Sequence, residues 1–557
     1  MKVSKLTVAI AATLGMTASY NAMALDLYVD AKTKQIFAEP GKGRVLLGEF
    51  EKVGATPNPV LQPAPAATQA EVAAIKKDLE LKTNEIKALS EHVEAENAPT
   101  VAHVKLDDGI HFATKDGNFT AGINGRLQID SQSNVNQGIG GNGYLSSTGL
   151  PIALNDGVAL RRGRLGIEGT FFKNTDYKFE YDFTRGNGLN AGGITDAYVR
   201  QNFSKPFSIK FGAFKEPFSL EEATSNRYLT FIERNMAVNT FVDNLNTYKL
   251  GIGANYSADR WLVASSLQTE GVGGYNAYGN NSLTSSTGSA INTNGGVNRN
   301  GGGGDTSWEV NTRVAGTPWF ESKTKFLHVG ASGSYININN NYLGSGSYSN
   351  GGVIFANGIG GNVDRTSILT TGNLTQNSGT TKLFQANYLT RFGAESSVVY
   401  GPFSAQAEYI QTDVSGTGYT KNESLNGYYG YATYFLTGES RNYTAKTGSW
   451  GRIKPTHNFD LKGGLGAWEL AVGYDYMNLN SGAINGGRAD TVKGGLNWYL
   501  NSHTRFMANY VHALDINVDT SAAKQTTASG VLASNGTTRA WNKGDLDMIE
   551  TRIQLDW

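Results

Sequence analysis

Cysteine is absent from all 557 residues, which excludes disulfides, thiolate nucleophiles and Cys-based metal sites. Net charge is absent too: 48 Lys and Arg balance 48 Asp and Glu, so the total gives no footprint for a nucleic-acid partner. No apolar run reaches the length of a membrane-spanning helix. HExxH, GxSxG and P-loop motifs are missing, and the seven His residues are scattered without ligand spacing. Neither an enzyme, a metal nor a cofactor is expected of such a chain. Gly138, Gly140 and Gly143 match a dinucleotide fingerprint in spacing, yet they stand in a Gly/Asn-rich loop with no βαβ context.

What the chain does hold is sheet and turn chemistry. Glycine fills 69 positions and Tyr 27, while only 39% of residues are hydrophobic. Such a mixture suits a barrel whose two faces meet different solvents. Residues 1–24 read as a secretory signal: Lys2 and Lys5 form the positive end, Leu6 to Met16 a short apolar core, and Ala22-Met23-Ala24 a cleavage site. That core is too short to span a bilayer. A chain exported this way, with no apolar helix, can embed in an outer membrane only as a closed barrel.

Four regions follow. Residues 25–55 read as a short extended or hairpin arm with a turn at Pro40-Gly41. Residues 56–67 carry Pro57, Pro59, Pro63 and Pro65 and form a stiff spacer. In 68–97, Val72, Ile75, Leu79, Lys82, Ile86, Leu89 and Val93 alternate spacings of three and four, a heptad seam that predicts an oligomerising coiled coil. Lys82 would weaken the seam and fix its register. A single amphipathic helix is the alternative. From 110 to 557 the chain reads as the barrel.

There the period is two. In 119–130, Phe119, Ala121, Ile123, Leu127 and Ile129 oppose Thr120, Asn124, Arg126, Gln128 and Asp130. Tyr177, Phe179, Tyr181 and Phe183 oppose Lys178, Glu180 and Asp182, and Trp468, Leu470, Val472, Tyr474 and Tyr476 oppose Glu469 and Asp475. The apolar parity of these strands holds no charge. A Lys or Arg facing lipid at mid-bilayer costs roughly 2–4 kcal/mol, whereas one facing the lumen meets water. Short connections near 173–176, 204–206, 257–260, 316–322 and 401–402 alternate with long ones at about 131–157, 216–246, 272–305, 339–381 and 515–546. The fold class is therefore all-β, a transmembrane antiparallel barrel of about 16 strands, with the coiled-coil helix before it in the periplasm. The stretch 437–465 breaks the pattern as a long connection on the short-turn side, suited to folding into the lumen.

Two sets of residues carry the functional expectation. The loop 216–246 has more apolar residues than an external loop needs (Phe218, Leu220, Phe231, Ile232, Phe241), so it should fold inward. Lys215, Arg227, Glu233 and Arg234 would then line a constriction. On the wall, Arg126, Arg162, Arg164, Lys178, Arg200, Lys210, Lys249, Arg313, Lys493 and Arg552 face the lumen and would attract anions. The same parity carries a similar number of acids, so the wall is balanced by count and many charges should pair across strands. Only Arg161-Arg162-x-Arg164 stands out as a cluster.

The segments RRGRLGIEGTF (161–171), ITDAYVRQNF (194–203), FGAFKEPFSLEE (211–222), YGPFSAQAEYI (400–410), FLTGESRNY (435–443), GAWELAVGYDYMNLN (466–480) and GLNWYLN (495–501) resemble the phosphate-selective porin O and P family. The terminal IQLDW resembles the aromatic-ended signal of assembled outer-membrane barrels. The resemblance implies a 16-stranded, trimeric porin whose inward loops narrow the pore, and phosphate-like anions as solutes. The constriction loop here is at least as acidic as it is basic. The expected partners are the lipid bilayer of the bacterial outer membrane, small polar or anionic solutes, two further copies of the chain, and the cell wall through residues 25–97. A tether to the envelope, with the barrel as anchor, stands beside the channel reading.

Overall fold

Sixteen antiparallel strands close on one another in the computed structural model. It describes residues 25–30, 36–37, 44–50, 69–96, 102–105, 109–136, 144–145, 151–152, 154–184, 193–243, 248–271, 290–291, 308–338, 353–361, 363–364, 368–371, 374, 376–378, 381–419, 421–517, 525–527, 530–532 and 546–557. The signal expected at 1–24, the spacer expected at 56–67, the Gly138 motif and most of 272–307 and 339–352 lie outside the described residues.

The barrel strands are β1 (Phe119–Asn136), β2 (Gly157–Phe171), β3 (Thr175–Asp182), β4 (Gly193–Asn202), β5 (Phe207–Lys215), β6 (Tyr248–Ser257), β7 (Trp261–Gly271) and β8 (Trp308–Ser322). They continue as β9 (Lys325–Asn337), β10 (Thr381–Tyr400), β11 (Phe403–Thr417), β12 (Glu423–Phe435), β13 (Ala467–Ser481), β14 (Ile484–Tyr499), β15 (Thr504–Asn517) and β16 (Asp547–Asp556). β16 closes on β1 from Asp547↔Asn136 to Asp556↔Arg126. Trp557 and Gly125 then exchange both backbone bonds, 3.0 and 3.1 Å. A Cβ at Gly125 would lie 2.3 Å from the Trp557 ring, so the closure needs glycine there. Below it, a hairpin of Ala102–Lys105 and Ile110–Thr114 covers the free flank of β1.

Alternation places the side chains as period two demands. Phe179, Leu470, Val472 and Ile553 point outward and are exposed, while Arg126, Glu180, Asp475 and Arg552 are buried inside. Aromatic rings gather at both rims of the outer face, Trp468, Trp498 and Phe506 stacking at 5.0 and 5.9 Å at one and Trp308, Tyr335 and Tyr388 at 5.6 Å at the other. Trp308 and Trp319 mark the two rims along β8. Their separation is roughly 36 Å of strand at about 3.3 Å per residue, or about 28 Å after a tilt near 40°, close to the apolar band of an outer-membrane barrel. Substituting Val472→Arg in this band should destabilise the barrel by about 2–4 kcal/mol in denaturant refolding into lipid vesicles. A change below about 0.5 kcal/mol would place that face in water.

Two features of the connections differ from the sequence reading. The stretch 316–322 is not a turn but the end of β8, whose pairing to β9 slips between Gly316 and Trp319. Pro318 cannot donate to a ladder, and the slip accommodates it. Links at 418–422 and 482–483 are short although they lie at the long-loop end. The connection 436–466 joins β12 to β13 at the short-turn end and is 31 residues long by that numbering, in keeping with the long connection expected at 437–465.

The N-terminal unit is separate. Leu25–Asp30 pairs with Ile36–Phe37 on one side and Arg44–Phe50 on the other. Gln69–Glu96 (α1) is one helix. Leu79, Ile86, Leu89 and Val93 lie exposed along it, and Lys82 reaches Glu85 at 3.3 Å.

Candidate functional site: a lumen crossed by three insertions

The 216–247 connection folds into the barrel. Phe218, Leu220, Phe231, Ile232 and Phe241 are at most 2% exposed. Each such burial is worth roughly 1.5–3 kcal/mol, so apolar packing is the main hold on the loop. Phe231 meets Tyr431 edge-on at 5.6 Å, and Phe241 meets Phe355 at 5.3 Å. Polar anchors set its position. The helical turn Leu220–Ala223 (α2) presents the amides of Leu220 and Glu221 to the Glu408 carboxylate on β11, at 3.0 and 2.8 Å. Free amides at a turn's start need such an acceptor. Arg391 on β10 grips Glu216 with two bonds of 2.8 Å, donates to Phe241 O at 2.7 Å, and stacks on Phe218 at 4.8 Å. Lys249 bridges Glu216 and Glu309 at 3.0 and 2.5 Å.

Two more segments enter. Val353, Phe355, Ile359, Ile368, Leu369 and Leu374, from the connection before β10, join the same apolar cluster as Phe241 and Met236. From the opposite end comes 436–466. Trp450 packs on Leu220, Phe326 and Val399, donates Nε1 to Gln406 at 2.6 Å, and donates its amide to Thr224 of the loop at 3.2 Å. Arg441 stacks on the Trp450 ring at 3.9 Å and bonds Tyr431 Oη at 3.0 Å. Arg313 donates to Gly448 O at 2.6 Å. Thus an insertion from each end of the barrel meets the other inside it.

Most of the sequence-expected cations are absorbed in this filling. Arg126 and Arg164 share Glu180 at 2.6 and 3.0 Å, and Arg164 also holds Asp182 at 2.7 Å. Arg552 forks onto Asp130 at 2.6 and 2.7 Å. Arg313 pairs with Glu395, which also meets His328 at 2.9 Å. Lys493 pairs with Asp475. In the loop, Arg234 is held by Glu222 at 2.9 Å and Asp243 at 3.2 Å, and Lys215 by Glu222 at 2.5 Å. Arg227 reaches Gly125 O at 3.2 Å and Asn124 at 3.3 Å. Such pairs are buried and hydrogen-bonded, so breaking one strands its partner.

A second group stays partly exposed, all on β3 to β5. Lys178 sits 3.4 Å from Glu168 and 3.7 Å from Asp196. Arg200 pairs with Asp176 at 2.6 Å. Lys210, directly across from Arg200 in the ladder, lies 4.5 Å from the Tyr198 ring centre and 4.9 Å from that of Phe214. Among the described residues it makes no ion pair. The lumen-facing charges of β8 to β16 are buried almost throughout, whereas on β3 to β5 Asp176, Lys178, Asp196, Arg200 and Lys210 stay partly exposed and Glu180 and Asp182 are buried. The more open part of the lumen therefore lies towards the short-turn ends of β2 to β5, since Arg162, Arg164, Glu180 and Asp182 further along β2 and β3 are buried.

Sequence reasoning missed Arg391, Arg441, Trp450 and the inward turn of Arg161. A β-bulge explains the last: Gln128 pairs with Arg162 and Ile129 with Leu160, leaving Arg161 as the extra residue. A bulge re-aims side chains, and here both adjacent arginines reach inward. Arg391 was legible by parity alone, since Phe392 faces out at 52% exposure.

The family profile described as "Phosphate-selective porin O and P" matches residues 153–533. Porin O of Pseudomonas aeruginosa is 27% identical over 423 residues, covering 74% of this chain and 86% of that protein. An uncharacterized protein of Caulobacter vibrioides is 26% identical over 453 residues, 80% of this chain and 78% of its own. Among solved structures, OmpT of Vibrio cholerae superposes with a TM-score of 0.44 at 11% identity, covering 80% of this chain and all of that one. The outer membrane channel DcaP of Acinetobacter baumannii does so with 0.39 at 12% identity, covering 80% and 99%.

Proposed function

The chain belongs to the phosphate-selective porin O and P family of outer-membrane channels, and from that premise we propose that small polar solutes, anions above all, cross it unchanged beside β2 to β5. Lys210 carries this reading. It is a partly exposed ammonium on the wall, flanked by two rings and, among the described residues, with no carboxylate at ion-pair distance, while most other inward cations are held by one. A fixed, unpaired charge in a low-dielectric passage draws counter-ions toward it. Lys178 and Arg200 stand beside it, each paired with carboxylates, Lys178 with Glu168 and Asp196 and Arg200 with Asp176.

Two measurements test it. Purified protein in a planar bilayer should give discrete openings. Under a KCl gradient the reversal potential should mark chloride as the more permeant ion, and Lys210→Ala should move it toward the potassium side by more than Arg234→Gln does. An unchanged reversal potential in Lys210→Ala would remove Lys210 from the path.

In the same proposal, three chains associate through α1, whose exposed Leu79, Ile86, Leu89 and Val93 lie along one helix. Residues 1–24 direct export, and residues 25–97 contact the cell wall. Deleting 25–98 separates the roles: loss of envelope attachment with permeability intact assigns the tether to this segment.

A further inference from the structure

The connection 436–466 has two halves, and only the half around Arg441 and Trp450 enters the lumen. Phe459 and Leu465 lie instead against the outward face of the rim. The indoles of Trp468 on β13 and Trp498 on β14 stack at 5.0 Å, and both donate Nε1 to Leu465 O, at 3.1 and 2.9 Å. Phe459 sets its ring edge-on to Trp498 at 5.1 Å and donates its amide to Leu500 O at 2.7 Å. Between these two anchors Asp460 accepts the amides of Lys462 and Gly464 at 2.8 and 2.9 Å, which closes a tight turn. At its tip Leu461 is 87% exposed and holds φ 60°, in the left-handed region that Gly or Asn fills at less cost. Leu465 and, at the end of β12, Leu436 are more than half exposed as well. Single exposed leucines are ordinary, but these three extend the apolar girdle of Trp468, Trp498 and Phe506 beyond the strands.

We propose that residues 459–465 form a lipid anchor, a fixed apolar turn seated with Leu461 foremost in the headgroup zone of the leaflet at the short-turn end. The girdle it continues already faces lipid, so the turn meets the same solvent by position. Indole N–H groups at a membrane rim ordinarily bond water or headgroups. Here both are spent on Leu465 O, so the rim holds the turn rather than the bilayer. Lys462, next after the tip, is exposed, and at that depth its ammonium meets lipid phosphates while its stem stays among apolar groups. The occupant is therefore the phospholipid surface itself. Because Trp450 of the same connection fills the lumen, the anchor also ties one end of that filling to the membrane. The inference rests on the outward wall touching lipid and not on which solutes cross.

Since the chain has no cysteine, Leu461→Cys introduces a single thiol. It is compared with Val472→Cys as the bilayer reference and Lys77→Cys as the water reference, each full-length in nanodiscs of phosphatidylcholine and phosphatidylglycerol, open to solvent on both faces. A charged maleimide should modify position 461 about tenfold more slowly than position 77, because the reacting thiolate is disfavoured out of water. With an environment-sensitive dye at 461, lipids spin-labelled near the headgroup should quench about twice as strongly as lipids labelled deep in the chain, since an interfacial segment lies about 5–10 Å into the headgroup boundary. At 472 the deep label should quench more. Reaction at 461 as fast as at 77 places the tip in water and overturns the anchor. Slow reaction without quenching by either lipid means that protein covers the tip, a second copy included, and overturns it too. Absence of quenching at 472 would remove the lipid-facing wall, and the anchor with it. Should Leu461→Cys fail to assemble, Leu465→Cys carries the same expectation and the same refutation.

Discussion

Replacing residues 439–463 with a five-residue Gly/Ser linker should raise single-channel conductance severalfold while the barrel still assembles. The strands on either side do not need the insertion: β12 and β13 pair directly from Asn426↔Asn478 to Phe435↔Glu469. Linkers of that size join antiparallel neighbours routinely. What the deletion removes is lumen filling. Trp450 leaves its pocket on Leu220, Phe326 and Val399, Arg441 leaves Tyr431, and Thr224 loses the amide that ties the loop to the insertion. Losing a buried tryptophan costs roughly 3–5 kcal/mol, and the deletion should lower the melting point of the folded band accordingly. Arg313 keeps Glu395, so its charge is not stranded. The observable is the mean open-channel current at fixed voltage. An increase smaller than twofold, in a barrel shown to be folded, would mean that the insertion does not narrow the passage.

How much of this the sequence carried depends on whether the information is local. Strand parity is local. Tyr177 to Phe183 and Trp468 to Tyr476 alternate within seven and nine residues, and the structure puts Phe179 and Leu470 outward as that alternation requires. The inward fold of 216–247 was readable for a similar reason, since surplus Phe and Leu have no business in a solvated loop. Sixteen strands follow from counting connections, although one expected turn proved to be a strand with a slip at Pro318. Pairing of charges is not local. Glu180 meets Arg126, 54 positions away, and Arg552 meets Asp130 across the barrel seam, so no window of sequence reveals which cations are spent and which, like Lys210, remain. Backbone irregularity is the other blind spot. Nothing in RRGR says that Arg161 is the bulged residue, and nothing in FGAFK says that Gly212 takes φ 127°, where a Cβ would lie 2.2 Å from Ala197 O.

Substituting Arg391→Ala should be the most damaging single change in the lumen. The guanidinium holds Glu216 by two bonds, Phe241 O, Ser334 at 2.7 Å and Asn311 at 3.1 Å, and lies over Phe218. Its loss leaves Glu216 and Glu309 sharing Lys249 alone. Removing one partner of a buried ion pair costs about 3–5 kcal/mol, because the remaining charge has no water to return to. Wall and loop respond differently. β10 keeps its full ladder to β9 and β11, so the barrel should persist, but the loop loses its anchor at both ends, Glu216 at its start and Phe241 near its close. The expected result is a folded barrel with noisy, enlarged openings and a loop newly cleavable after Arg227 or Arg234 by trypsin. Arg391→Lys keeps the charge but not the fork, and should recover only part of the loss. Adding Glu216→Gln to Arg391→Ala removes the stranded carboxylate. The double variant should therefore be more stable than Arg391→Ala alone, since a neutral amide needs no counter-charge where a carboxylate does. If the double variant proved less stable than the single one, the Glu216 carboxylate would be satisfied without Arg391, and the anchoring of the loop would have to lie in its apolar side chains alone.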